Sequence, residues 1–304
     1  MKPHIALIGL GLIGSSLARA LKKKELADGL SGTAASPETR ARVRELGLLD
    51  TLYDNAPAAV AKADIVFLCV PQGSVGDVAR AVIPAMREGA VLTDVGSVKA
   101  SVAAELAPLS AGRVHLVPGH PIAGTEFSGP DAGFAELFEG RWCILTPAPE
   151  TPLVAVEAVA DLWRHMGSEV AFMDAAEHDL TMAMTSHLPH LVAYNLVATA
   201  MGLEGAEAVV KYSAGGFRDF TRIAASDPVM WRDIFLHNRE SVLEVLDRFS
   251  GGLEKLRAAL EAGDGAYLHD LFSKTREVRR SIVEAGQDIA APDFGRRGSG
   301  NDET

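Results

Sequence analysis

Residues 6–14 read Ala6-Leu7-Ile8-Gly9-Leu10-Gly11-Leu12-Ile13-Gly14. Ile5 to Ile8 form an apolar run of strand length, and Ser15 to Lys24 carry helical periodicity. Between them Gly9, Gly11 and Gly14 stand at the G-x-G-x-x-G spacing. Strand, glycine turn and helix in this order form the context a dinucleotide-binding turn requires. The first glycine permits the tight turn, the second lets backbone approach a pyrophosphate, and the third lets helix and strand pack closely. The helix N-terminus adds amide donors and the positive end of a dipole. Leu10, Leu12 and Ile13 complete this loop and join the glycines as expected cofactor-binding positions.

Outward from this unit, strand-like and helix-like segments alternate. Strands are expected at Leu30–Ala34, Ile65–Val70, Val91–Val95, His115–Val117, Trp142–Thr146 and Glu169–Phe172, with helices at 37–46, 75–86, 98–106 and 153–166. This alternation predicts an α/β fold with a largely parallel, doubly wound sheet. From Ala175 onward no strand signal follows. Helical periodicities cover 175–186, 188–201, 228–249 and 267–285, and Leu191–Met201 is apolar nearly all round, the mark of a helix wrapped by neighbours. The expected organisation is a Rossmann-type domain over 1–174, an all-helical domain over 175–290, and a Gly- and charge-rich disordered tail over 291–304.

The formal net charge is −11, which opposes nucleic-acid or anionic-membrane partners but leaves room for an anionic small molecule held by a few local cations. The two cysteines, Cys69 and Cys143, lie in apolar strand-like runs and read as buried hydrophobes rather than a disulfide or metal pair. Met1-Lys2-Pro3-His4 leads directly into the first strand, and no apolar run reaches the roughly 18 residues of a membrane span. A cytoplasmic protein is expected.

Ligands of open parallel sheets bind beyond the carboxyl ends of the strands. At those ends stand Val70 and Pro71, then Gly96, Ser97 and Lys99, then Gly119, His120 and Pro121. Val70, Pro71, Gly96 and Ser97 are expected to line the cofactor. His120 suits proton abstraction near neutral pH, and Ser97 suits orienting it or holding a substrate hydroxyl. The competing reading makes both residues turn and helix caps. In the helical half, Thr185-Ser186-His187-Leu188-Pro189-His190 places two histidines around a proline expected to bend the chain. No third ligand at metal spacing accompanies them, so no metal is expected. Gly215-Gly216-Phe217-Arg218-Asp219-Phe220-Thr221-Arg222 brings two arginines beside glycines, a pattern suited to carboxylate recognition or to structural ion pairs. Trp231 and Phe235 fit core positions.

In chain order, the glycine loop, Asp94-x-Gly96-Ser97-x-Lys99, Gly119-His120-Pro121-x-Ala123-Gly124-Thr125-Glu126, Thr185 to His190 and Gly216 to Ala224 together resemble the prephenate and arogenate (cyclohexadienyl) dehydrogenases of tyrosine biosynthesis. The resemblance runs over about residues 4–290. It implies that the helical domain over 175–290 serves substrate and dimerisation in a homodimer, and it implies oxidative decarboxylation of a cyclohexadienol with hydride transfer to a nicotinamide cofactor. It implies that His120 is the base or hydrogen-bond partner of the ring hydroxyl, supported by Ser97. Arg222 would bind a substrate carboxylate, with Arg218 next in line, and His187 would line the pocket. Glu126 would meet the substrate side chain, and Thr125 and Ser186 belong to the same motifs.

One departure concerns the cofactor. The second strand of NAD-binding folds usually ends in an acidic residue that holds the adenine ribose. Here Thr33-Ala34-Ala35-Ser36-Pro37-Glu38-Thr39-Arg40 has Ala35 or Ser36 in that place. Ser36, Thr39 and Arg40 become the candidate 2′-phosphate contacts, or backbone and Ser36 hold the ribose, with NAD expected and NADP the close alternative. The rival reading is a β-hydroxyacid or imine reductase with a catalytic lysine in its helical domain. Lys211, the sole lysine between Lys99 and Lys255, lies in a setting (Val-Val-Lys-Tyr-Ser) unlike theirs. A nucleotide-sensing regulator without catalysis is the other alternative.

Overall fold

The computed structural model describes residues 2–125, 127–203 and 206–284. Its first strand, β1 (His4–Ile8), leads through the glycine turn into α1 (Leu12–Lys23). There follow β2 (Gly29–Thr33), α2 (Pro37–Glu45), β3 (Thr51–Leu52), α3 (Ala56–Val60), β4 (Ile65–Leu68), α4 (Val75–Val82), β5 (Val91–Asp94), α5 (Ala100–Ser110) and β6 (His115–Leu116). These six strands form one parallel sheet in the order β3-β2-β1-β4-β5-β6. The order reverses next to β1, which opens a crevice at the carboxyl ends of β1 and β4.

Side-chain alternation builds the layers. Ile5 and Leu7 of β1 join Leu17, Leu21 and Phe67 in the core on one face, while Ala6 and Ile8 join Val60, Val66, Val75 and Leu106 on the other. Continuous apolar strands are what a sheet covered on both faces requires.

The expected single sheet is corrected beyond β6. Pro118 has no N–H to continue the ladder, and the chain turns into β7 (Gly119–Pro121). β7 pairs antiparallel with β8 (Trp142–Leu145), which pairs in parallel with β9 (Glu169–Phe172), so a separate three-stranded sheet forms. The helix between β8 and β9, α6 (Leu153–His165), seats Trp163 against Phe67 and Phe138 with ring centroids 6.1 and 5.1 Å away.

The helical segment contains α7 (Ala175–Met182), α8 (Leu188–Met201), α9 (Ala206–Lys211), α10 (Gly215–Thr221), α11 (Pro228–His237), α12 (Arg239–Ala262) and α13 (Gly265–Glu284). One compact unit extends to Val245 and a second begins at Leu246. Pro189 stands in the first turn of α8, the place of a proline that starts a helix. Residues Ala183–His187 form a π-helical turn, with the Leu188 N–H bonded to the Ala183 carbonyl, and the wider turn accommodates the proline ring. The helix expected over 228–249 is divided at Asn238, whose backbone leaves helical geometry. Within the chain α8 is not wrapped on all sides, since only Leu188 and Ala193 are buried. In the second unit, Gly263 at φ +65° ends α12 and Asp264 caps α13 by accepting from the Tyr267 N–H. The tail 291–304 lies outside the described residues.

Candidate active site

The glycine loop has the geometry its spacing predicts. Gly9 sits at φ +98°, and a Cβ there would lie 2.3 Å from the Cys69 carbonyl oxygen. A Cβ on Gly14 would lie 2.0 Å from the Gly9 carbonyl oxygen. Around Gly11, by contrast, there is open space. Gly11 is also the N-cap of α1, without a side-chain cap and without an acidic residue in the first turn. The amide donors of that turn are therefore left for an external anion, which fits a dinucleotide pyrophosphate. Along the same sheet edge, the amide oxygen of Gln72 is buried without a partner beside Gly96. Val70 and Pro71 follow β4, and Gly96 and the half-buried Ser97 follow β5.

The β2–α2 turn uses its polar groups internally. Ser36 caps α2 by accepting from the Thr39 N–H at 3.0 Å. The Arg40 guanidinium donates to the Ala34 and Ala35 carbonyls at 2.7 and 2.9 Å.

His120 does not lie on a loop after a strand; it is the middle residue of β7, paired with Ile144. This placement holds the imidazole on a fixed backbone beside the end of β5. Lys99 locks that junction. It is fully buried, ion-paired with the equally buried Asp94, and its Nζ donates to the Gly119 carbonyl at 2.7 Å. Asp94 also accepts the Gly96 N–H at 2.8 Å and the Gly119 N–H at 3.3 Å.

The sequence reading missed two residues behind His120. His120 Nδ1 lies 2.9 Å from His178 Nε2, and His178 Nδ1 lies 2.8 Å from an Asp179 carboxylate oxygen. Asp179 accepts in addition the N–H groups of Lys99 and Ala100 at 2.8 and 2.9 Å, where α5 begins. His178 and Asp179 are adjacent in the first turns of α7, and their sequence signal was a His-Asp pair facing inward on a helix capped by Asp174. Burial, then the neighbouring His178, Lys99 and His187, hold the His120 imidazole well below the ordinary histidine range. These surroundings favour the neutral form of His120.

His187 and His190 converge on Trp231 of α11. The His190 ring stacks on the indole at a centroid distance of 3.6 Å and His187 meets it edge-on at 6.0 Å. Trp231 occupies the core position expected of it, with Val98 and Ile234. Its indole N–H is buried without a partner. His187 Nδ1 receives the Asn238 amide at 3.1 Å, and the same amide bonds the Asp179 carbonyl at 2.8 Å. Asn238 is the second element missed, hidden inside a stretch read as one helix. Burial pushes His187 down to about 4. His190 Nδ1 donates to the carbonyl of the half-buried Ser186 at 2.9 Å. Among the described residues no three His, Cys, Asp or Glu side chains are placed to hold a metal.

Arg222 follows α10 on an exposed 3₁₀ turn, close enough that its charge depresses His190. Arg218 is exposed on α10. Thr125 is exposed and its Oγ1 accepts from the Phe127 N–H at 3.3 Å. Glu126 lies outside the described residues. Lys211, the residue a β-hydroxyacid reductase reading would need, is exposed at the end of α9 with its ammonium over Tyr212.

Comparison with known proteins agrees with this fold. The nucleotide-binding domain of prephenate dehydrogenase matches residues 17–172, and its dimerization domain matches residues 174–274. A cyclohexadienyl dehydrogenase of Zymomonas mobilis is 45% identical over 281 residues, covering 92% of this chain and 96% of its own length. A prephenate dehydrogenase of Bacillus subtilis is 35% identical over 284 residues, covering 93% of this chain and 76% of its own. The crystal structure of an Aquifex aeolicus prephenate dehydrogenase, in complex with hydroxyphenyl propionate and NAD+, superposes with a TM-score of 0.87 at 33% identity, covering 93% of this chain and 98% of its own. With its glycine turn, its parallel sheet and its full-length relatives in agreement, the chain belongs to the prephenate dehydrogenase family.

Proposed function

We propose that this protein oxidatively decarboxylates prephenate, arogenate or both, with His120 as the group that takes the ring-hydroxyl proton. The carrying observation is a neutral, buried histidine held on β7 beside the edge of the sheet that ends in the glycine turn. The substrate ring bears a hydroxyl at C4 and a carboxylate at C1. Loss of hydride from C4 and of CO₂ from C1 together aromatise the ring; the hydroxyl proton taken up as hydride leaves returns to the ring oxygen when the C1–carboxylate electron pair flows into the ring. Bound at the glycine turn, NAD supplies the hydride acceptor. A neutral imidazole that receives the hydroxyl proton as hydride leaves lowers the barrier, because the developing carbonyl carries no positive charge. Ser97 positions the same hydroxyl. Arg222 holds a substrate carboxylate, with Arg218 as the second candidate and His187, Ser186 and Thr125 lining the pocket.

NAD rather than NADP is the cofactor this reading favours. The arginine and serine that would receive a 2′-phosphate are already bonded within the β2–α2 turn. Residues 1–174 serve the cofactor, and 175–290 serve substrate and dimerisation. A homodimer is supported by the match to a dimerization domain and by the uncovered apolar surface of α8, where Met201 is 72% exposed. Among the described residues no helix is long and apolar enough to cross a membrane. A cytoplasmic location accords with this and with the acidic balance.

The direct test is growth of nicotinamide absorbance when the purified protein with NAD receives prephenate and, separately, arogenate. Turnover of at least one is expected. Absence of signal with both, with either cofactor, overturns the assignment.

A further inference from the structure

We infer that Asp179, acting through His178, sets the tautomer of His120 and thereby aims its free lone pair at the substrate hydroxyl. This inference rests on His120 being the proton acceptor, but it concerns two residues that never touch substrate.

The chain of donors follows from what each atom can do. The Asp179 carboxylate only accepts, and it takes the Lys99 and Ala100 N–H groups together with His178 Nδ1. His178 Nδ1 therefore carries a hydrogen. A neutral imidazole protonated at Nδ1 presents a bare Nε2, and that atom faces His120 Nδ1 at 2.9 Å. His120 must then donate from Nδ1, which leaves its own Nε2 unprotonated. Reversing the order requires a cationic His178. That arrangement leaves the hydrogen on His120 Nε2, with no lone pair to receive the hydroxyl proton, so it does not serve a His120 that accepts one.

The arrangement also serves the step itself. When His120 Nε2 accepts the hydroxyl proton, the imidazolium donates from Nδ1 to His178, and the Asp179 carboxylate behind it favours the new positive charge. Burial, then His178, Lys99 and His187, act in the opposite sense and favour the neutral His120 beforehand. The carboxylate is fixed at the start of α5, where two backbone amides hold both its oxygens. His178 and Asp179 are thus positioning residues. Their function differs from packing because it passes through a single hydrogen bond.

Three measurements test this. His178→Leu removes the acceptor, and kcat should fall about 10²-fold while the KM values for substrate and cofactor stay within about twofold. His178→Gln restores an acceptor oxygen and should recover at least tenfold of that loss. In the double variant His120→Gln/His178→Leu, turnover should match His120→Gln alone, because residues acting as a unit are not additive. Full kcat in a folded His178→Leu protein, or additive losses in the double variant, overturns the inference. If His178→Leu fails to fold, the nitrogen NMR spectrum of the histidine-labelled wild type decides, since it must show His120 Nδ1 protonated and Nε2 bare. The opposite tautomer overturns the inference whatever the variants do. An active His120→Gln protein would instead remove the base assignment and leave the spectrum as the reading of the tautomer.

Discussion

Lys99 and Asp94 form an ion pair from which water is entirely excluded, at the point where β5 meets β7. Removing one partner of such a pair leaves an uncompensated buried charge, whereas removing both does not. Lys99→Met should destabilise the protein by about 3 kcal/mol, seen as a fall in Tm of roughly 5–10 °C. The double variant Asp94→Asn/Lys99→Met should recover part of that loss. A single variant as stable as wild type would show that the pair is not the lock we describe.

Two glycines of one loop should respond in opposite ways. Gly14→Ala forces a Cβ to 2.0 Å from a carbonyl oxygen, so Tm should fall along with cofactor binding. Gly11→Ala meets no protein atom and should change stability by no more than about 0.5 kcal/mol. Its new methyl stands where the pyrophosphate would approach, and the cofactor KM should rise about tenfold or more. Equal effects of the two substitutions on cofactor KM and Tm would contradict this division of roles.

His120→Asn should lower kcat by about 10²- to 10⁴-fold with little change in cofactor affinity. In the wild type, kcat/KM should fall on acidification with a midpoint well below 6.5, because burial favours the neutral imidazole. A midpoint above 6.5 would point to a different base.

His187 contributes a separate pH dependence, of stability. Its folded value of about 4 lies below the ordinary 6.5, so between these values the unfolded chain binds more protons than the native one. Stability therefore rises with pH through that window and declines as pH falls from 6.5 towards 4. The loss attributable to this residue is about 3 kcal/mol. Denaturant unfolding at pH 7 and pH 5 should show a smaller difference for His187→Gln than for wild type. Identical pH dependences would remove His187 from this account.

Arg222→Ala should raise the substrate KM at least tenfold and leave the cofactor KM nearly unchanged, as expected for loss of a carboxylate contact. Steady-state kinetics with each ligand varied in turn checks this. An unchanged substrate KM would transfer the role to Arg218.

Much of this molecule was legible in residue order, for reasons of periodicity. Strands covered on both faces must be continuously apolar, so Ile65 to Leu68 announced itself. A glycine turn between a strand and a helix has few physical uses, so the nucleotide site was readable at residue 9. Where the reading faltered, a single residue decided against the local pattern. Pro118 ended the first sheet and Asn238 interrupted a helical period.

The sequence alone settled which chemistry-bearing groups are available: a glycine cradle, a histidine after β6, and arginines in the helical segment. Local periodicity and side-chain type suffice for that, because strand and helix repeats span only a few neighbours. It could not show that His178, 58 positions from His120, lies within a hydrogen bond of it, or that Asn238 ties α7 to His187. Those relations arise only when β7 and α7 pack together, since burial forces each polar atom to find a partner wherever the fold supplies one. Residue order named the candidate base; tertiary packing gave it His178 and Asp179 as buried neighbours.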